Sequence, residues 1–355
     1  MTAVERPPMR VEILYTGGTF GMVDHGAGMH PRSGLDAEIA EIIDEFEEAA
    51  EVSVDCRYGE LDRVIDSADA DAGTAVRIAE RVRSGTAAGT DGVIVIHGTD
   101  TMAYVGARIA FELRDIAVPV LLTGAQIPLG HPGSDARGNL HLALNSIVAQ
   151  PVPGTYLAFG SALHPAVRAS KRAIDDYDGF ATIRDLTPPE RPSALPIPRR
   201  GGAANDPVGL LTVFPGMHAE LLDAALGHYR GGLVLECYGA GTAPLHSADL
   251  IASIRSATRR STPVVVITQC DSGSIDLERY QPGRALLDAG AISGGDMTRE
   301  AALAKLSFLV AHGLTGAALR HWVTTNLLGE LANPRAAPKL PSPARESHSP
   351  SRSYQ

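Results

Sequence analysis

Short apolar runs alternate with segments of helical spacing along the first half of the chain. Residues 11–16 form a β-rich run, and 35–50 repeat apolar positions at helical spacing with acidic residues on the outer face. Residues 51–56 alternate as a strand does, and 73–83 read as a helix. The stretch 92–97 (GVIVIH) is a continuous apolar run of the kind that forms a strand buried on both faces. A helix over 101–113, a second buried strand over 119–123, a helix over 139–149 and a strand over 156–159 complete the half. Strands separated by helices predict βαβ units and a mainly parallel sheet. Between 186 and 207 the chain turns rich in Pro and Gly without periodicity, as a linker does. The alternation then resumes, with strands over 208–214, 232–237 and 263–270 and helices over 219–226, 247–257, 299–311 and 317–328. The fold class expected is α/β: two domains with mainly parallel sheets, a larger N-terminal one over 10–186 and a smaller C-terminal one over 208–332. A linker over 187–207 joins them, and a Pro-, Ser- and Arg-containing tail over 333–355 is expected to be disordered.

Composition narrows the function classes. Apolar residues make up 44% and charged residues 20% of the 355, ordinary for globular chains. A net charge of −10 argues against a nucleic-acid surface. No run of 18 apolar residues is present, so no membrane span is expected, and the first ten residues carry no apolar signal core. Three widely spaced cysteines fit a reduced cytoplasm better than a disulfide framework. Of 31 basic residues only Lys171, Lys305 and Lys339 are lysine. Where lysine persists in so arginine-biased a chain, either chance or a need for a compact amine whose pKa falls on burial accounts for it.

In open parallel sheets ligands sit beyond the carboxyl ends of the strands, so the residues after each apolar run carry the chemistry. Thr16-Gly17-Gly18-Thr19 follows the first run, His97-Gly98-Thr99-Asp100-Thr101 the fourth, and Thr123-Gly124-Ala125-Gln126 the next. Taken singly each has a plain structural reading: a glycine turn, a helix cap by Thr99 or Asp100, a core histidine at His97. Ile65-Asp66-Ser67-Ala68-Asp69 is a polar loop that either turns the chain or binds a small charged ligand. Together they bring two threonines and a carboxylate to one crevice, with backbone N–H groups able to polarise a carbonyl. No nucleotide-binding glycine motif and no G-x-S-x-G elbow is present, and no Cys/His spacing suggests a metal, so neither metal nor cofactor is expected.

These stretches, with Arg168-Ala169-Ser170-Lys171, resemble the bacterial L-asparaginases, in particular their cytoplasmic type I branch. The matching segments are YTGGTFGM (15–22), VIVIHGTDTMAY (93–104), PVLLTGAQIP (119–128) and RGNLHLALN (137–145). In the second half they are LECYGAGTAP (235–244), TQCDSG (268–273) and GGDMTREAALAKL (294–306), so the likeness spans about residues 10 to 332. The resemblance implies Thr19 as nucleophile, with Thr99, Asp100 and Lys171 completing the catalytic group. It implies Ser67 as holder of the substrate α-carboxylate and Asp100 as partner of its α-ammonium. The Thr99 and Ala125 N–H groups become oxyanion donors, and Ala68 stands where some relatives carry a more polar residue. The implied reaction is hydrolysis of L-asparagine to L-aspartate and ammonia through a β-aspartyl ester, in a cytoplasmic homodimer or homotetramer with no nucleic-acid or membrane partner.

The chemistry suits the residue types. A hydroxyl is a poor nucleophile at neutral pH and needs a base beside it. A buried lysine, its pKa lowered by desolvation, can take a proton through Thr99. The sequence departs from the family pattern at Met29, which aligns where many relatives carry a tyrosine on the loop after the nucleophile. Either Asp24 or His25 substitutes for that tyrosine, or the first proton transfer relies on Lys171 and Thr99. Two further readings stand beside the asparaginase: a non-catalytic or weakly active asparagine-binding paralogue, suggested by Met29, and the amidase subunit of a tRNA-dependent amidotransferase, which usually carries an extra N-terminal domain.

Overall fold

A computed structural model of the chain describes residues 7–24, 26, 28–187, 207–244 and 248–332. The first half comprises β1 (Met9–Gly17), β2 (Met22–Asp24), β3 (Met29–Pro31), α1 (Asp36–Ala50), β4 (Val54–Ile65), α2 (Thr74–Gly85), β5 (Gly92–Ile96), α3 (Met102–Glu112), β6 (Pro119–Thr123), α4 (Ala136–Val148), β7 (Gly154–Phe159), β8 (Ala162–Pro165), β9 (Ala169–Lys171) and β10 (Phe180–Thr182). The second comprises β11 (Val208–Thr212), α5 (Ala219–His228), β12 (Gly232–Cys237), α6 (Ala248–Arg259), β13 (Val264–Thr268), α7 (Gln281–Asp288), β14 (Ile292–Ser293), α8 (Arg299–Ala311) and α9 (Gly316–Thr324).

The larger sheet has the order β4-β1-β5-β6-β7-β8, parallel throughout except for the edge strand β8. Its inner strands β5 and β6 are buried at every residue, which is why their sequences lack alternation. The smaller sheet, β11-β12-β13-β14, is wholly parallel. Helix α1 shows the local logic. Ile39, Ile42, Ile43 and Phe46 form one buried stripe, Asp36 and Glu38 face the positive end of the helix dipole, and Glu51 stops the helix in a left-handed conformation (φ 52°). The α/β class with mainly parallel sheets is therefore as expected. The sequence reading of 187–207 and of the tail falls almost wholly on residues outside those described.

One apolar core runs through both sheets. Buried residues of α2, α3, β5 and β6 pack continuously with those of β12, β13, α8 and α9, and Phe111 stacks on Phe308 with ring centroids 5.8 Å apart. At its far side lies an ion pair with no solvent access on either partner: Lys305 Nζ donates to Glu330 at 2.6 Å and to the carbonyls of Val323 (2.9 Å) and Thr325 (2.5 Å). Glu330 in turn accepts from the N–H groups of Leu327 and Leu328. Burial lowers the Lys305 pKa while Glu330 opposes the shift. Here a persistent lysine does sit where a compact amine is required. Removing one partner strands the other charge. Glu330→Leu is accordingly expected to cost about 3–5 kcal/mol in urea unfolding, most of it recovered in the Lys305→Met/Glu330→Leu double variant. Equal losses in the single and double variants would exclude the pairing as the cause.

Candidate active site

Strands β4, β1, β5 and β6 lie side by side, and all four end at the same edge of the sheet. Ser67, Thr19, Thr99 with Asp100, and Ala125 follow those four ends in turn. Two glycines make the close approach possible. A Cβ on Gly17 (φ 118°) would lie 2.0 Å from the Ile65 carbonyl oxygen, and one on Gly18 (φ 82°) would lie 2.2 Å from the Gly98 Cα. The Thr19 loop is thus pressed against both the Ser67 and the Thr99 loops. A Cβ on Gly98 would meet the Ser67 hydroxyl at 2.5 Å, so Gly98 and Ser67 are in contact.

Lys171, carried by β9, reaches into this edge. Its Nζ donates to Thr99 Oγ1 at 2.8 Å and to Asp100 Oδ1 at 2.7 Å. The Thr99 hydroxyl donates onward to Gln126 Oε1 at 3.3 Å. The capping reading for Thr99 and Asp100 is not realised. The N-cap of α3 is Thr101, whose hydroxyl donates to the Ser67 carbonyl, and the Thr99 and Asp100 side chains meet Lys171 instead. Thr99 is buried, but the Lys171 side chain keeps 19% of its surface exposed and Asp100 63%. The burial expected of Lys171 is therefore corrected to partial burial in the single chain, because its strand lies at the rim of a cleft rather than in the core.

Ser67 opens a short 3-10 turn and is buried; Ala68, beside it, donates its N–H to Asp66 Oδ1 at 3.0 Å. The loop is thus an Asx turn, and it also brings a buried serine against Gly98. Ala125 is fully buried, and the N–H groups of Gln126 and Ile127 after it are held by Asp135. A cavity of 210 Å³ is lined by Asp100 and Lys171 on one side and by Glu236, Gln269 and Glu300 of the second half on the other.

Met29 sits on a hairpin the sequence pattern does not foreshadow, β2 paired with β3, opposite Asp24 and 39% exposed. Asp24 Oδ1 accepts from the N–H groups of Gly26 (2.7 Å) and Gly28 (3.3 Å), so this carboxylate is engaged in its own turn. His25 lies outside the described residues.

His97 is structural, as expected. It is completely buried, and its Nδ1 lies 2.7 Å from Thr16 Oγ1. The Thr16 hydroxyl also donates to the Ile96 carbonyl at 2.9 Å. Burial pulls the His97 pKa from 6.5 down to about 4. The unfolded chain therefore binds a proton that the folded chain refuses between those values, and folding stability falls as pH drops through the window. Between pH 7 and pH 5 the expected loss from this residue is about 2 kcal/mol. Urea unfolding at the two pH values checks it: the loss should be smaller by that amount in His97→Gln, and an unchanged loss would refute it.

Residues that sequence reasoning gave no role also belong here. Gln126 lay within a motif, yet its bond to Thr99 and its amide contacts to the Ala173 and Asp176 carbonyls required the fold. Ser170 Oγ donates to Glu300 Oε1 at 2.8 Å across 130 residues of sequence, which no local pattern signals.

Comparison with known proteins accords with this arrangement. Residues 10–188 match the asparaginase N-terminal domain, and residues 207–323 match the glutaminase/asparaginase C-terminal domain. L-asparaginase 1 of Escherichia coli is 34% identical over 334 residues, 90% of this chain and 97% of that protein. One component of the glutamyl-tRNA(Gln) amidotransferase of Aeropyrum pernix is 32% identical over 353 residues, 91% of this chain and 79% of that protein. The crystal structure of L-asparaginase I from Vibrio cholerae superposes with a TM-score of 0.78 at 30% identity, covering 92% of this chain and all of the other. With both halves matched in order, this chain belongs to the asparaginase family of amidohydrolases.

Proposed function

We propose that this protein hydrolyses L-asparagine to L-aspartate and ammonia with Thr19 as nucleophile. The observation that carries the reading is the Lys171–Thr99–Asp100 cluster, at 2.8 and 2.7 Å, at the strand edge where Thr19 follows the end of β1. Thr19 Oγ attacks the side-chain amide carbon, its proton passing by way of Thr99 towards Lys171. The N–H groups of Thr99 and Ala125 stabilise the oxyanion. The C–N bond breaks with protonation of the leaving nitrogen, ammonia departs, and a β-aspartyl ester remains on Thr19. Water, activated by the same relay, cleaves the ester and restores the Thr19 hydroxyl. Ser67 receives the substrate α-carboxylate and Asp100 its α-ammonium, with Ala68 leaving that end less polar. No metal or cofactor enters this scheme. The protein would work in the cytoplasm as a homodimer or homotetramer, which sedimentation of the purified chain tests.

The test of substrate is ammonia release from L-asparagine and, separately, from L-glutamine. Release from asparagine is expected. The exposed Met29 at the tyrosine position favours one alternative, an asparagine-binding paralogue with little or no turnover. Tight asparagine binding without ammonia would establish that alternative. Ammonia release that requires a charged tRNA to be present would favour the amidotransferase reading instead, in which this subunit supplies the ammonia.

A further inference from the structure

Lys171 stands in a segment whose alternate residues are fastened to the second half of the chain. Arg168, three residues before it, has no solvent exposure. Its Nε donates to the Gly329 carbonyl (2.8 Å), its Nη1 to the Asp296 carbonyl (3.0 Å), and its Nη2 pairs with Asp296 Oδ2 (3.1 Å). Ser170 is bonded to Glu300, and Arg172 is ion-paired with Asp271. In extended chain, residues two apart share a face. Ser170 and Arg172 thus face the second half, while Lys171 between them points to Thr99 and Asp100.

Glu300 is the unusual member. It sits in the first turn of α8 with 4% exposure; Oε1 accepts from Ser170, the Thr298 hydroxyl and its own backbone N–H also approach the carboxylate, and Oε2 makes no hydrogen bond of good geometry. A buried, half-satisfied carboxyl is costly, and such a group calls for a reason to be there. Core packing alone would be served by a smaller apolar residue. The first turn of a helix favours the anion, yet burial still raises its pKa.

We infer that Glu300, acting through Ser170, is a positioning residue that holds the backbone immediately before Lys171, so that the second half of the chain sets the distance from Nζ to Thr99. This deepens the reading above and rests on Lys171 being the relay base. The relay leaves little slack, since one ammonium spans two acceptors at under 3 Å. A displacement of the order of 1 Å at a catalytic group costs up to about 100-fold in rate.

The experiment uses the full chain with Ser170→Ala, Glu300→Ala, Glu300→Gln and the Ser170→Ala/Glu300→Ala pair. Steady-state kinetics on L-asparagine are read beside the urea midpoint of each variant. Ser170→Ala and Glu300→Ala should each lower kcat by about 10–100-fold with KM within about threefold. Glu300→Gln, which keeps the acceptor for Ser170, should restore kcat to within about threefold of wild type, and the double variant should be no slower than the slower single one. Wild-type kcat in Ser170→Ala, absence of rescue by glutamine, additive losses, or losses proportional to a falling urea midpoint would each overturn the positioning role. Lys171→Met separates the two failures. If it keeps full activity, the relay itself is wrong; if it is inactive while Ser170→Ala is unimpaired, only the positioning role falls.

Discussion

Replacing Lys171 by Met is expected to lower kcat on L-asparagine by about 10²–10⁴-fold, the usual contribution of a positioned proton-transfer group. The variant keeps the aliphatic stem and removes only the amine. Thr99 then loses the donor at 2.8 Å and Asp100 the ion pair at 2.7 Å. The stability change should be small, because an ion pair whose acid is mostly exposed contributes at most about 1 kcal/mol. The kinetic signature is therefore a fall in kcat with an almost unchanged urea midpoint. Unimpaired turnover in Lys171→Met would remove lysine from the mechanism and return the role of base to a group on the hairpin of β2 and β3.

Replacing Thr19 by Ala should have the largest effect of all, a loss of about 10⁴–10⁶-fold, because nothing else at this strand edge is assigned the covalent role. In the proposed scheme substrate recognition falls to other residues, Ser67 and Asp100, so calorimetry should still register asparagine binding by Thr19→Ala. Thr19 is half-buried and follows two glycines whose backbones touch the neighbouring loops, and alanine has no bulk that this packing would reject. A collapse of folding would therefore be unexpected, and the urea midpoint checks it. Retained turnover would show that water or another group attacks the amide directly.

The parts of the molecule that could be read in advance share a physical cause. Strands β5, β6 and β12 are buried on both faces and show it as unbroken apolar runs, with β6 and β12 matching the expected bounds. Helix α8 matches as well, since Thr298 caps it and accepts from the Ala301 N–H. The short pairs β2–β3 and β9–β10 escaped notice because three-residue strands have no period to detect. Helix α7 carries Pro and Gly in its first turn and reads as loop in isolation. The site divides in the same way. Thr19, Ser67, Thr99, Asp100 and Ala125 each follow a strand end, which a sequence can indicate. Lys171 stands out by the scarcity of lysine, its catalytic role comes through family likeness, and its partial exposure follows from its place at a cleft rim. The bonds of Ser170 to Glu300 and Arg168 to Asp296 join residues 130 and 128 apart, visible only once the halves are packed.

Of all measurements, ammonia release from L-asparagine by the intact protein, Thr19→Ala and Lys171→Met, assayed side by side with binding, bears most directly on the central claim. The intact protein should release ammonia stoichiometrically with aspartate while both variants bind asparagine and turn it over at or near background. An intact protein that binds asparagine without releasing ammonia, or a Thr19→Ala variant that still turns it over, would contradict the claim.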